Sequence, residues 1–344
     1  MSVICYRNFF KTTFRVFYST KAEQVNQQLG KVVNVAIIGA PNAGKSTLIN
    51  NIVQRKICAA SNKVHTTTKL ARAFCFHEDT QIIFLDTPGV ITVREKKKYN
   101  LPESMIGACE KSLRCADVVG VIHDVSNRYT KDDLHKDVVA MLKNVSDIPS
   151  FLILNKVDRL ESKRQLLSLI RNLTNGIIAG KPSPGMPRRS DKENQQRGYS
   201  KFSDVFLVSA LKGDGVNDIK KYLINNAKTG AYQYSPNMWT DQKVENLIIE
   251  AVRAKFLDFL SHEIPYNLNT KLEYFEEIED ENRLLCSVTV ECPSERLLKL
   301  VAGAGGGRLQ QIKSHIRNDL TDLFQKPVSL DVHLKVKNKP TSID

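Results

Sequence analysis

The sequence predicts an α/β protein: a mixed, mostly parallel sheet with helices on both faces, followed by a smaller α+β domain. Three observations carry this reading. Short, β-branched apolar runs recur at 33–38, 82–85, 118–122, 151–154 and 205–208, with helix-compatible stretches between most of them. Apart from Asn34 these runs are continuously apolar and do not alternate, as strands buried on both faces require. Beyond residue 228 the pattern changes to a helix, two strands, two helical stretches around a glycine run and a final strand. A chain of 344 residues with 42% hydrophobic and 25% charged residues suits two compact domains and excludes wholesale disorder and coiled-coil architectures. No uninterrupted apolar run approaches the length of a bilayer span.

Taken from the start, residues 1–30 stand apart. The segment MSVICYRNFFKTTFRVFYSTKA carries Arg7, Lys11, Arg15 and Lys21 and no acid before Glu23. Written as a helix, it places the basic residues along one side while Phe9, Phe10, Phe14, Val16 and Phe17 supply apolar surface, the composition of a mitochondrial presequence. The first domain is expected over 31–228, with a further strand at 70–76 pairing as a hairpin with the run at 82 and making the sheet mixed. Within it, residues 180–200 (GKPSPGMPRRSDKENQQRGYS) are nearly free of large apolar side chains and read as a flexible insertion, either a solvated spacer or an RNA-touching arm. Residues 229–243 read as a linker whose Tyr232, Tyr234 and Trp239 can pin two domains together. The second domain is expected over 244–338 and a tail over 339–344, with a helix at 244–260, strands near 269–274 and 284–290, and a last strand at 328–336. Seven cysteines, odd in number and without a CxxC pair, argue against a zinc site or a disulfide scaffold. A net charge of +13 favours a polyanionic partner, RNA or an acidic membrane surface.

The chemistry sits where ligands of open α/β sheets bind, beyond the carboxyl ends of the strands. Gly39-Ala-Pro-Asn42-Ala43-Gly44-Lys45-Ser46-Thr47 fits GxxxxGK[ST] directly after a strand and before a helix. Its backbone N–H groups suit phosphate oxygens, Lys45 supplies a point charge, and Ser46 suits Mg²⁺. Asp86-Thr-Pro-Gly89 follows the second run, so that Asp86 would hold Mg²⁺ through water and the Gly89 amide would sense a γ-phosphate. Asn155-Lys156-Val157-Asp158 follows the fourth run. A carboxylate at Asp158 accepts from guanine N1–H and the 2-amino group together, and Lys156 lays its methylenes along the ring. After the fifth run, Ser209-Ala210-Leu211 would offer the Ala210 amide to guanine O6. The four segments together select GTP and GDP with Mg²⁺. His123 and Asp124, ending the third run, read as residues lining the nucleotide cleft more readily than as a catalytic pair.

These segments resemble a translation-factor-class GTPase, in which His65-Thr66-Thr67-Thr68 lies where the switch I threonine is carried. The resemblance implies Thr67 as a second Mg²⁺ ligand, with Thr66 the alternative. Val90 stands where Ras-like enzymes have a water-orienting glutamine, which implies slow intrinsic hydrolysis. Asn42 matches members in which a monovalent cation, K⁺, assists.

In the second domain, Gly303-Ala304-Gly305-Gly306 lies between two helical stretches, as in the GxxG turn of a KH domain, which brings backbone to nucleic-acid phosphates. With Ser261-His-Glu-Ile-Pro-Tyr266, Asp319-Leu-Thr-Asp-Leu-Phe324 and the last strand, the chain from about 34 to 337 resembles the Era family of GTPases, whose second domain is a type II KH fold. The resemblance implies an enzyme that binds small-subunit rRNA near its 3′ end, here a 12S-type mitochondrial rRNA, and assists assembly of the maturing small ribosomal subunit. It implies Gly303, Ala304, Gly305, Gly306, Arg308, Lys299 and Lys313 at the RNA, and a monomer of the mitochondrial matrix with peripheral inner-membrane contact left open. Two departures stand out: Era proteins commonly carry a basic residue inside GxxG, and the 180–200 insertion lies outside the compact bacterial pattern. A tRNA-modification GTPase and an RNA-binding factor with a non-hydrolysing site are the rivals.

Overall fold

The computed structural model describes residues 29–59, 71–86, 113–160, 162, 164–183, 198–261 and 263–337. The large sheet is built from β1 (Leu29–Ile38), β2 (Ala71–His77), β3 (Thr80–Asp86), β4 (Val118–Asp124), β5 (Ser150–Asn155), β8 (Phe202–Val208) and β9 (Lys228–Ala231). Its strand order is β2-β3-β1-β4-β5-β8, and the pairings β1 with β3 and β4, β4 with β5, and β5 with β8 are parallel. β2 runs antiparallel to β3, which is the hairpin expected from the sequence.

Helices cover both faces. Val33, Val35 and Ile37 meet α1 (Lys45–Val53) and α4 (Val216–Asn225), while Ala36 and Ile38 belong to the cluster with α2 (Lys136–Asn144) and α3 (Gln165–Leu173). Alternate residues of one strand thus enter opposite cores, the physical reason the run is apolar apart from Asn34, whose side chain bonds Asp117.

The smaller unit follows the order read from the sequence: α5 (Val244–Phe259), β10 (Asn269–Ile278), β11 (Arg283–Cys292), α6 (Glu295–Ala302), α7 (Gly307–Phe324) and β12 (Val328–Val336). β10 pairs antiparallel and β12 parallel with the central β11. The α-β-β-α-α-β order with this mixed sheet is the expected type II KH arrangement. Its interior, with Leu247, Ile248, Val288, Ile316 and Leu320, is continuous with the α1 and α4 side of the large sheet.

Four boundaries differ from the sequence reading. β1 begins at Leu29, so Leu29 and Gly30, which the sequence places in the presequence, belong to the sheet. They pair with β9, whose residues Thr229–Ala231 fall in the expected linker. The cause is geometric: β4 joins β1 only from Val35 onward, and β9 covers the open edge of Leu29 to Val32. Lys228 Nζ donates to Asp117 Oδ1 at 2.7 Å, and the other oxygen of that carboxylate accepts from the Asn34 backbone N at 3.0 Å. Within the insertion, Lys181–Pro182 (β7) forms a short hairpin with Ile177–Ile178 (β6), and Tyr199 is buried against Phe202. Residues 184–197 of that insertion, the presequence up to residue 28 and the tail lie outside the described residues.

Of the three linker aromatics, Tyr232 and Tyr234 hold the linker to β2, and Trp239 is the one whose contacts reach both units. Tyr234 stacks on Phe74 at 4.1 Å and accepts from Arg72 Nη1 at 2.9 Å, and Tyr232 meets Phe76 edge-on at 5.1 Å. Trp239 touches both sides, packing edge-on to Phe324 at 6.3 Å and under the Arg55 guanidinium at 5.5 Å.

Candidate nucleotide cleft and KH groove

The carboxyl ends of β1, β4, β5 and β8 open on one rim of the large sheet. From β1 the chain passes through 39–44 into α1, whose first-turn N–H groups and positive dipole end face the position of a bound anion. Gly44 has φ of +102°, and a Cβ there would lie 2.2 Å from Asn155 Nδ2. Lys45 is folded inward, Nζ donating to the Gly39 and Ala40 carbonyls at 3.2 and 3.0 Å. A triphosphate exchanges these carbonyls for charged oxygens, which bond an ammonium more strongly.

Asn155, 2% exposed at the end of β5, joins three loops. Its Nδ2 donates to the Ala43 carbonyl at 2.7 Å, and its Oδ1 accepts from the Ala210 amide at 2.9 Å. The Ala210 N–H, expected at guanine O6, is therefore held by Asn155 here. Reaching a purine requires that bond to be shared or exchanged. Ser209 is fully buried, its amide donating to the Asp214 carbonyl at 3.0 Å, which fixes the turn that carries Leu211 outward at 72% exposure.

Lys156 adopts φ of +66° and reaches back across the cleft, Nζ donating to the Asn42 carbonyl at 2.8 Å and to Asp124 Oδ2 at 2.5 Å. Burial opposes ionisation of Asp124, but Lys156 and two bonds from Ser126 outweigh it, holding the carboxyl below the ordinary carboxylate value. The Asp158 carboxylate is mostly buried, with Lys212 Nζ 3.9 Å from Oδ2. His123 is buried, which lowers its pKa, and Nε2 lies 2.9 Å from the Lys131 carbonyl oxygen. A carbonyl only accepts, so Nε2 carries the proton and the ring anchors a loop. His123 and Asp124 thus form no catalytic pair.

Ser46 lies in the first turn of α1, and Asp86, last residue of β3, is in register with Ile37 of β1, one residue short of its end. Thr47 lines a cavity of about 490 Å³ together with Asn51, Lys56, Lys255 and Asp319 from both units, which Ala210 and Leu211 also border. Thr67 and Gly89 lie outside the described residues. Among the described residues no cluster of His, Cys, Asp and Glu could hold a metal, and no helix is long and apolar enough to cross a membrane.

In the smaller unit, Gly303 closes α6 at φ 76° and ψ 176°, Ala304–Gly306 make one tight turn, and α7 starts at Gly307. The basic residues named from the sequence divide. Arg308 Nη1 donates to the Leu300 carbonyl at 2.8 Å, and Lys299 forms an exposed pair with Glu295, one turn earlier in α6, at 3.3 Å. Lys313 lines a groove of about 650 Å³ beside β12, with Gln310, Ser314, Arg317, Tyr274 and Ser329. Its Nζ donates to Asp331 Oδ1 at 2.6 Å. Gln310, Ser314 and Tyr274 are not legible as groove residues in the sequence, because polar residues on a helix face and an aromatic in a strand carry no distinguishing pattern.

A P-loop sheet with an NKxD loop, followed by a KH unit, defines the class: a P-loop GTPase with an appended nucleic-acid-binding fold. A family model described as "50S ribosome-binding GTPase" matches residues 34–156. The chain is 34% identical to the mitochondrial GTPase Era of Salmo salar, over 90% of this chain and 77% of that protein. It superposes with a TM-score of 0.71 and 26% identity on Era in complex with MgGDPNP and nucleotides 1506–1542 of 16S ribosomal RNA, covering 90% of this chain and 95% of the other. A point variant of Aquifex aeolicus Era bound to GDP·AlF4⁻ gives 0.72 at 26% identity with the same coverage. The chain belongs to the Era family of GTPases, enzymes that hydrolyse GTP.

Proposed function

We propose that this chain is a mitochondrial GTPase that binds small-subunit rRNA near its 3′ end through the groove beside α7 and β12, and that GTP hydrolysis times its release from the maturing subunit. The observation that carries the reading is one helix. α7 starts at the glycine turn, runs 18 residues, about 27 Å, and ends against the GTPase unit. There Asp319 and Asp322 receive Lys56 Nζ at 2.9 and 2.7 Å, and the Leu323 carbonyl accepts from Arg55 Nη1 at 3.2 Å. Arg55 and Lys56 immediately precede the segment that carries Thr67. A γ-phosphate gripped by Thr67 acts through Arg55 and Lys56 on the far end of the RNA-contacting helix, and its unequal affinity for the two arrangements is the coupling.

At the cleft, Asn42 to Thr47 and Gly89 take the phosphates, Asn155, Lys156, Asp158 and Ser209 to Leu211 take guanine, and Ser46, Thr67 and Asp86 hold Mg²⁺. A hydroxyl and carboxylate donor set suits that hard cation, which when bound neutralises charge on the β- and γ-phosphates. Asn42 would serve K⁺, and equal turnover in KCl and NaCl would remove that assignment. The solved Era complex with a 16S rRNA segment supports the rRNA partner, and the mitochondrial relative together with the basic, acid-poor first 22 residues supports the compartment. Matrix residence and contact with the inner membrane are part of the same proposal. Crosslinking in mitochondria followed by sequencing of the bound RNA tests it: small-subunit rRNA is expected, and recovery of tRNA in its place would favour a tRNA-modification GTPase.

A further inference from the structure

Resting on the guanine-nucleotide reading, we propose that Asp124 is a positioning residue for nucleotide binding. Its carboxylate fixes the Lys156 ammonium against the P-loop, so that the stem along which the purine packs is ordered before the nucleotide arrives. Asp124 ends β4 in register with Asn155 of β5, which brings its side chain beside that of the next residue, Lys156. One oxygen, Oδ2, receives Lys156 Nζ at 2.5 Å. The other, Oδ1, accepts from the Ser126 amide at 2.8 Å and the Ser126 hydroxyl at 2.6 Å, so the carboxylate cannot rotate away. Both side chains of the pair are only about a fifth exposed, at 20% and 23%, so water screens the attraction less than at an open surface. The same ammonium donates to the Asn42 carbonyl at 2.8 Å, tying the loops after β1, β4 and β5 into one frame.

The physical argument concerns entropy. A lysine stem is among the most flexible of side chains, and ordering it during binding weakens affinity. An acidic partner that orders it beforehand removes that penalty from the binding step. On the reading above Lys156 serves the purine, which GTP and GDP share, so the pair acts on retention of both alike.

The test follows dissociation of fluorescent GDP and GTP analogues from the full chain with Mg²⁺. Asp124→Asn should speed release of both by about 10- to 100-fold, the range of a charge-assisted bond. The diagnostic readout is a double-mutant cycle with Lys156→Met, which keeps the methylene stem and removes the ammonium. In that background Asp124→Asn should add less than about 2-fold. Wild-type release rates after Asp124→Asn, or its full effect persisting beside Lys156→Met, would overturn the proposal. If Asp124→Asn does not fold, as judged by circular dichroism and melting, Ser126→Ala enters the same cycle. It removes the hydroxyl bond to Oδ1 and leaves the residue-126 amide bond, and should speed release about 3-fold only while Lys156 is present; no change there overturns the proposal equally. Wild-type affinity for the GDP analogue reads the underlying guanine-nucleotide assignment separately.

Discussion

Gly303→Ala is expected to disable the KH turn while leaving the nucleotide cleft intact. At φ 76° and ψ 176° this residue occupies a region that only glycine enters freely, and a side chain there costs about 1–3 kcal/mol in backbone strain. The added Cβ would also lie 2.7 Å from Arg308 Cβ and 3.2 Å from the Arg308 backbone N, so the start of α7 must shift. Overpacking of that kind adds about 1–3 kcal/mol, for about 2–6 kcal/mol in all. Gly305→Ala is the control. Its φ of +58° is left-handed but nothing lies within 4 Å of the new Cβ, so only about 1–2 kcal/mol is expected. Urea unfolding of the full chain reads stability, and fluorescence anisotropy with a single-stranded small-subunit rRNA 3′ fragment reads affinity. Gly303→Ala should lose stability, RNA affinity or both well beyond Gly305→Ala, with GDP binding unchanged. Equal behaviour of the two variants would refute the turn geometry.

Further outcomes follow from the cleft and the sheet. Lys45→Ala removes the only P-loop ammonium and should abolish GTP binding measured by calorimetry. Asp158→Asn exchanges an acceptor for a donor and should move preference from GTP toward xanthosine triphosphate, read by competition against a fluorescent GDP analogue. Burial works against ionisation of Asp117, yet bonds from Lys228 and Asn34 hold its carboxyl below the ordinary 3.8. A depressed folded-state value means the stabilisation is complete above 3.8 and is lost as pH falls through the lower folded value. The melting-temperature gap between wild type and Asp117→Asn should accordingly be constant at neutral pH and shrink below 3.8, and a gap that widened in acid would contradict the assignment.

The parts of the fold that could be read in advance are those where burial writes a pattern. Val33, Val35 and Ile37 face one core and Ala36 and Ile38 the other, so apolarity on both faces, broken only at Asn34, identifies the strand without any partner in view. β9 has no such mark: Lys228-Thr-Gly-Ala231 is mostly exposed and is a strand only because β1 offers it an open edge. The same contrast holds at the cleft. Lys45 and Asp158 are legible because few chemistries need those types at that spacing, whereas the Asn155 amide binding Ala43 and Ala210 depends on three loops meeting in space. Arg308 and Lys299 are legible as positive charge beside a glycine turn, whereas the local partners each holds, the Leu300 carbonyl and Glu295, leave no mark in the sequence.

The central claim is that nucleotide state and RNA grip communicate through α7. Affinity of the full chain for the 3′ rRNA fragment, measured side by side with a non-hydrolysable GTP analogue and with GDP, addresses it most directly. The account predicts clearly tighter RNA binding with the GTP analogue and a reduced difference in Lys56→Met, which loses the contacts to Asp319 and Asp322. Identical RNA affinity in the two nucleotide states of the wild type would contradict it.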